Sequence, residues 1–104
     1  MAKHRETKFT EISHKTKEAV WQRDGGRCLL CGSINAGPHC HYIRRSQGGS
    51  GEERNIWTGC EVCHRNFDSE PSDGHLHAVV RDYLKALYKD WDESNLIYKK
   101  YGGI

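Results

Sequence analysis

The sequence predicts a small α+β domain that needs a staple to stay folded, and three observations carry that prediction. The chain has 104 residues, of which 36% are hydrophobic, and a mean hydropathy of −0.86. That length suits one domain, whose usual size is about 100–150 residues. A chain this short and polar builds a thin core. Four of its five cysteines form two pairs, Cys28-x-x-Cys31 and Cys60-x-x-Cys63. Between the pairs lie two short segments suited to strands, 39–43 and 55–58, and helical patterns flank them on both sides.

Several classes are excluded at once. No run of about 18 apolar residues exists, so no transmembrane helix is expected. The first 20 residues carry Lys3, Arg5, Lys8, Lys15 and Lys17 without an apolar stretch, unlike a secretory leader. A cytoplasmic protein without a membrane partner is therefore expected. In a reducing compartment, five cysteines and seven histidines point to metal before disulfides. Charge is graded along the chain. Residues 1–27 hold seven Lys/Arg against four Asp/Glu, and residues 68–104 hold five against seven. A basic leading segment suits a polyanion, and equally an ordinary solvated surface.

The elements follow in order. Residues 1–12 read as a basic, flexible arm, and 13–104 as one domain. Ser13 caps a helix over 14–24 that buries Val20 and Trp21 and stops at Gly25-Gly26. The first cysteine knuckle leads through a Gly37-Pro38 turn into the strand 39–43. The stretch 44–51, polar and then glycine-rich, reads as exposed backbone. The strand 55–58 runs into the second knuckle and a helix to about Ser69, stopped by Glu70-Pro71. Asp73 is the expected cap of the next helix. Its apolar stripe is Leu76, Val79, Val80, Tyr83, Leu84, Leu87 and Tyr88, the spacing of a core-facing helix. A last short helix is expected over 93–101, so 73–101 forms a helical extension to a core of 20–68.

The two cysteine pairs predict a structural zinc ion held by Cys28, Cys31, Cys60 and Cys63, since four thiolates make a closed tetrahedral shell. The 28 residues between the pairs exceed a compact ribbon's usual spacing of about 15–20. An inserted hairpin explains the excess. A dithiol redox centre is the other reading of such pairs. Cys40 is the odd cysteine, either a small buried hydrophobe or a soft metal ligand.

His41, Asn55 and His64 remain free for other chemistry. A strand, a loop, a second strand and a helix can bring the two histidines to one concave site. One imidazole near neutral pH can take a proton from water. The other can hold a divalent cation on a phosphate oxygen. The asparagine can fix a backbone or a ring. Each residue alone is as readily a plain surface or core group.

Together, Cys28-Leu29-Leu30-Cys31-Gly32, Cys40-His41-Tyr42-Ile43-Arg44-Arg45-Ser46-Gln47-Gly48-Gly49 and Asn55-Ile56-Trp57-Thr58-Gly59-Cys60-Glu61-Val62-Cys63-His64 resemble the HNH endonucleases of the His-Me finger type. The variety resembled has paired Cys-x-x-Cys zinc knuckles and is encoded by bacteriophages and prophages. The lead-in Val20-Trp21-Gln22-Arg23-Asp24-Gly25-Gly26-Arg27-Cys28 is also similar. The resemblance covers about residues 20–68. It implies a ββα-metal motif and a DNA hydrolase that nicks or cuts the duplex inside a bacterial host cell, with phage packaging proteins as further partners. It implies His41 as general base, Asn55 as holder of the loop that orients it, and His64 as ligand of a catalytic divalent metal. Asp68, one turn on from His64, matches a further ligand. The family's residue before the base is often a metal-binding Asp or His, and Cys40 stands there. The catalytic metal is accordingly left open among magnesium, manganese, nickel, cobalt and zinc. Arg44, Arg45, Arg54 and Arg65 are candidate phosphate contacts, and the Gly-rich loop a place for the DNA backbone to approach. The competing reading is a non-catalytic zinc module that binds nucleic acid or serves assembly.

Overall fold

The computed structural model describes residues 5–98, and the side chains of residues 8–98. It is a small α+β fold. The order is α1 (Arg5–Thr10), α2 (His14–Arg23), β1 (Ala36–His41), β2 (Ile56–Cys60), α3 (Glu61–Ser69) and α4 (His75–Leu87), with 3-10 turns at Arg45–Gln47 and Glu93–Leu96. No helix among the described residues is long and apolar enough to cross a membrane.

β1 and β2 pair antiparallel, with Cys40 opposite Trp57 and His41 opposite Ile56. This is the hairpin expected between the knuckles. β1 starts earlier than the sequence suggests, because Gly37-Pro38 belongs to the strand and does not form a turn. The register shifts between Gly37 and Cys40. Proline lacks the N–H a ladder needs, and a shift in a two-stranded sheet accommodates it. β2 is buried throughout and passes straight into α3, whose N-cap is Cys60.

α2 begins as its sequence dictates, with the Ser13 hydroxyl accepting from the Thr16 N–H at 3.1 Å. Val20 is fully buried, whereas Trp21 is 39% exposed and lies over Gly26, on the face away from the sheet. The core proper is Cys40, Tyr42, Trp57, Phe67, Val80 and Leu84, between the hairpin and α3 on one side and α4 on the other. Of the α4 stripe, Val80 and Leu84 are buried, while Val79 and Leu87 stay exposed. The expected cap, Asp73, is not used. Gly74 is the N-cap, and the Glu70 carboxylate accepts from the Leu76 and His77 N–H groups at 3.2 and 2.8 Å. His77 turns inward beside it, bonded to Glu70 at 2.6 Å and stacked on Phe67 at 3.7 Å.

The two ends of the chain differ most from expectation. Residues 1–4 of the expected arm lie outside the described residues, but Arg5–Thr10 form α1 and Thr10 is buried. The expected final helix is a 3-10 turn at Glu93–Leu96, followed by a bridge from Ile97 to Gly49. Its last residues, 99–101, lie outside the described residues. Both ends pack on the Gly48–Gly51 segment, which is buried and not exposed. The Gly51 N–H donates to Phe9 O at 2.9 Å, Ser50 N–H to Leu96 O at 2.7 Å and Tyr98 N–H to Gly48 O at 2.7 Å. A Cβ on Gly49 would collide with the Ile43 carbonyl, and one on Gly51 with the Glu11 carbonyl. The glycines therefore admit the protein's own backbone, in place of the DNA backbone that the sequence suggested.

One polar junction locks α2 to this core. The fully buried Asp24 carboxylate accepts from Arg23 at 2.8 Å, Thr58 N–H at 2.9 Å and Tyr83 O–H at 2.6 Å. Arg23 also donates to the Glu53 and Ile56 carbonyls at 2.8 and 2.6 Å. Removing one partner of such a pair leaves the other charge buried and uncompensated. Asp24→Ala should lower unfolding stability by about 3–5 kcal/mol, read by denaturant unfolding of the zinc-loaded protein. A loss below about 1 kcal/mol would show that the junction is solvated and not structural.

Candidate functional site: a four-cysteine cluster beside a histidine cleft

The knuckles converge as their spacing requires. The Gly32 N–H donates to Cys28 O at 2.8 Å and closes the first tight turn. The first turn of α3 closes the second, with Cys63 N–H donating to Cys60 Sγ at 3.4 Å. The Leu29 N–H on Thr58 O, at 2.9 Å, holds the first knuckle against β2. The four sulfurs of Cys28, Cys31, Cys60 and Cys63 lie within 4.8 Å of one another and could hold a metal ion such as zinc. Zn–S bonds of about 2.3 Å place tetrahedral sulfurs about 3.8 Å apart. Cys31 Sγ and Cys60 Sγ are 3.6 Å apart.

The electrostatics agree with a cation at that point. Burial opposes ionisation of Cys28, but backbone bonds from Cys60, Cys31 and Leu30 outweigh it and bring the thiol down to about 6. The Cys63 thiol is pushed up, first by burial and then by its three neighbouring sulfurs. Cys28 is thus eased toward ionisation, while Cys31 and Cys63 are both shifted up. A bound cation offsets that upward shift.

A second group of residues lines a cleft of about 290 Å³: His39, His41, Arg44, Arg45, Ser46, His64 and Asp68. β1 delivers His39 and His41, which alternate with Cys40 and so face away from the core. α3 delivers His64, next to Cys63, and Asp68 one turn later. His64 Nε2 is 3.1 Å from Asp68 Oδ2. That is the distance of a direct ion pair or hydrogen bond across one turn of the helix. Among the described residues no three ligand groups converge as the four cysteines do. Burial lowers His41 below the ordinary imidazole range. Burial, then His64 and Lys17, does the same to His39. Both rings are therefore neutral at neutral pH, with a lone pair available.

Asn55 is fully buried and does not line the cleft. Its Oδ1 accepts from Ile43 N–H at 2.8 Å, and its Nδ2 donates to Ile43 O at 3.1 Å and Ser50 O at 2.7 Å. These bonds hold the 43–50 loop against the start of β2, immediately after His41.

The structure decides between the two readings of Cys40 in favour of the small buried hydrophobe. It is fully buried against Tyr42, Trp57 and Phe67, and burial raises its thiol. Cys40 is a core residue and not a ligand in the cleft. His39, one residue earlier, is the side chain that reaches the cleft instead, with its ring 5.7 Å from that of His64. The alternation His39-Cys40-His41 was the available signal for it.

The four arginines also divide. Arg45 lines the cleft. Arg65 is exposed on α3, within 3.3 Å of Glu61. Arg44 is drawn back onto the Asp68 and Glu70 carbonyls, tying off the end of α3. Arg54 lies on another face, near Glu52 and Asp90 and over the Tyr88 ring. A larger cavity of about 770 Å³ adjoins the cleft through Arg44 and Asp68, but its histidine, His77, is already paired with Glu70.

Metal analysis separates the two roles of cysteine. Wild type and Cys40→Ala should each carry about one tightly held zinc per chain. Cys60→Ala should lose that zinc and unfold, as should wild type stripped by a chelator. Zinc loss in Cys40→Ala, or a folded zinc-free wild type, would contradict this assignment. Comparisons with protein-family models, curated proteins and solved structures found no match to this chain.

Proposed function

We propose that the chain is a metal-dependent DNA endonuclease of the HNH type, with a structural zinc in the four-cysteine cluster. The observation that carries the reading is the cleft itself. It collects a half-buried histidine, a paired His64 and Asp68, and an arginine, against a loop fixed by Asn55. β1, β2 and α3, in that order, supply a ββα arrangement for it. A pure binding module has no use for this set.

In this reading His41 takes a proton from the attacking water, and Arg45 faces the negative charge of the phosphodiester. His64 and Asp68 would hold the divalent metal and leave its remaining positions to water and phosphate oxygens. When bound, such an ion supplies neutralisation of charge on the phosphate and on the leaving 3′ oxygen. In-line attack breaks the P–O3′ bond and gives 5′-phosphate and 3′-hydroxyl ends, as the resemblance implies. No base-reading element adjoins the cleft among the described residues, which suits weak sequence preference. The bacterial cytoplasm and a phage packaging machine are the setting that the resemblance implies.

The test is relaxation of supercoiled plasmid by zinc-loaded protein with added magnesium, manganese, cobalt, nickel or zinc. Wild type should yield nicked or linear product with at least one metal. His41→Ala should cut roughly 10²–10⁴-fold more slowly, the usual contribution of a general base. His64→Ala should need far more metal to cut at all. No product from folded, zinc-loaded wild type under any metal would move the assignment to a non-catalytic zinc module. Equal rates in wild type and His41→Ala would remove His41 from its role.

A further inference from the structure

We infer that the backbone carbonyl of Thr10 is a positioning group for His41, which makes the amino-terminal turn a working part of the cleft. The inference rests on the reading of His41 as the base. His41 Nε2 lies 2.9 Å from Thr10 O. A carbonyl oxygen only accepts, so Nε2 must carry the proton. In the neutral ring Nδ1 is then the one lone pair left, and the ring is fixed in orientation as well as tautomer.

Thr10 is not a chance neighbour. It is 2% exposed, and the residues on either side of it are anchored. Phe9 O accepts from the Gly51 N–H at 2.9 Å, and the Phe9 ring meets that of Tyr98 at 5.7 Å. The Glu11 carbonyl sits against Gly51, where no Cβ could fit. Gly51 in turn follows Ser50, whose carbonyl accepts from Asn55 Nδ2 at 2.7 Å. A continuous set of bonds thus runs from Asn55 through the 48–51 loop to the amino-terminal turn, and from Thr10 back to His41. Asn55 reaches the histidine from two sides, through Ile43 two residues on in sequence and through Thr10 across space. Residues 9–11 lie ahead of the 20–68 stretch that carries the resemblance, and the sequence marks them as nothing more than a polar arm.

The test reads the ring directly. Long-range proton–nitrogen NMR spectra of the full, zinc-loaded chain at neutral pH report both imidazole nitrogens. The His41 signals are identified by their loss in His41→Gln. The expected wild-type result is a single tautomer with a protonated Nε2 and an unprotonated Nδ1. Gly51→Ala, which forces the Glu11 carbonyl away, should give averaged nitrogen signals. It should also reduce kcat for plasmid cleavage roughly 10–100-fold with KM little changed, the scale for a misplaced group. Glu11→Pro acts from the other side without altering the loop. It disfavours the helical conformation of Thr10 and should have the same effect. Unchanged zinc content and dispersed amide spectra establish that each variant is folded.

An averaged or Nδ1-protonated ring in wild type would overturn the inference. So would a fixed ring that persists in both folded variants. The failures of the two readings are distinct. A fixed ring released by the variants, in a chain that never cuts DNA, sustains the positioning and removes the nuclease. Cleavage that depends on His41 with an averaged ring removes the positioning alone.

Discussion

The convergence of four cysteine side chains on one point is the constraint from which the rest of the architecture follows. It joins a tight turn at Cys28–Cys31 to the first turn of α3, across 28 intervening residues. With both ends of that stretch brought together, it must leave and return. The stretch does so as the β1–β2 hairpin, with a 3-10 turn at Arg45–Gln47 between the strands. The same constraint sets α3, because Cys60 is both a member of the cluster and the N-cap of the helix. His64 follows Cys63 directly, and Asp68 lies one turn further. Their direction is therefore inherited from the cluster and not from the cleft. A thin core of about a dozen buried side chains could not fix that helix with the same certainty.

The second requirement is the satisfaction of backbone polar groups in a loop that has been buried. Polar groups out of water cost free energy unless they are bonded. The 43–51 segment meets this from three directions. Asn55 serves Ile43 and Ser50, the carboxyl-terminal strand-like piece serves Gly48 and Ser50, and the amino-terminal turn serves Gly51. Glycines at 49 and 51 let these backbones approach closely enough to bond. The two chain ends are thus joined through a loop that belongs to the cleft. The Asp24 junction plays the same part for α2, with its carboxylate reaching β2 and α4 at once.

What was legible in the sequence was what depends on near neighbours along the chain. The Ser13 cap, the stop at Glu70-Pro71, the paired knuckles and the α4 stripe are all set by spacings of two to four residues. The fold class followed from them, whereas the grouping of His41, His64 and Asp68, which line one cleft, was read from the order of the elements and from the resemblance. The features that escaped depend on partners far away in sequence. Glu70 displaces Asp73 as the cap of α4 because it also pairs with His77, seven residues on. Trp21 has the composition of a core residue, yet it sits on the face of α2 that no element covers. The Gly48–Gly51 stretch has the composition of an exposed loop and is buried because both termini return to it. His39 is a local miss of another kind, since strand alternation, which assigns Cys40 to the core, assigns its neighbour to the cleft.

The fate of the arginines bears on how such a cleft could grip a polyanion. Of four candidates, Arg44 and Arg54 are engaged with the protein itself, one closing α3 and the other among acidic groups on a separate face. Arg65, exposed on α3, is itself paired with Glu61, which leaves Arg45 in the cleft and Lys17 close enough to influence His39. Few cations mean few released counterions and modest nonspecific affinity. In the proposed nuclease the hold on phosphate would come chiefly from a cation at His64 and Asp68, so that binding and the chemistry would depend on one ion. The neutral state of His39 and His41 is consistent with that economy. Burial lowers both, and an uncharged imidazole would not repel the proposed metal.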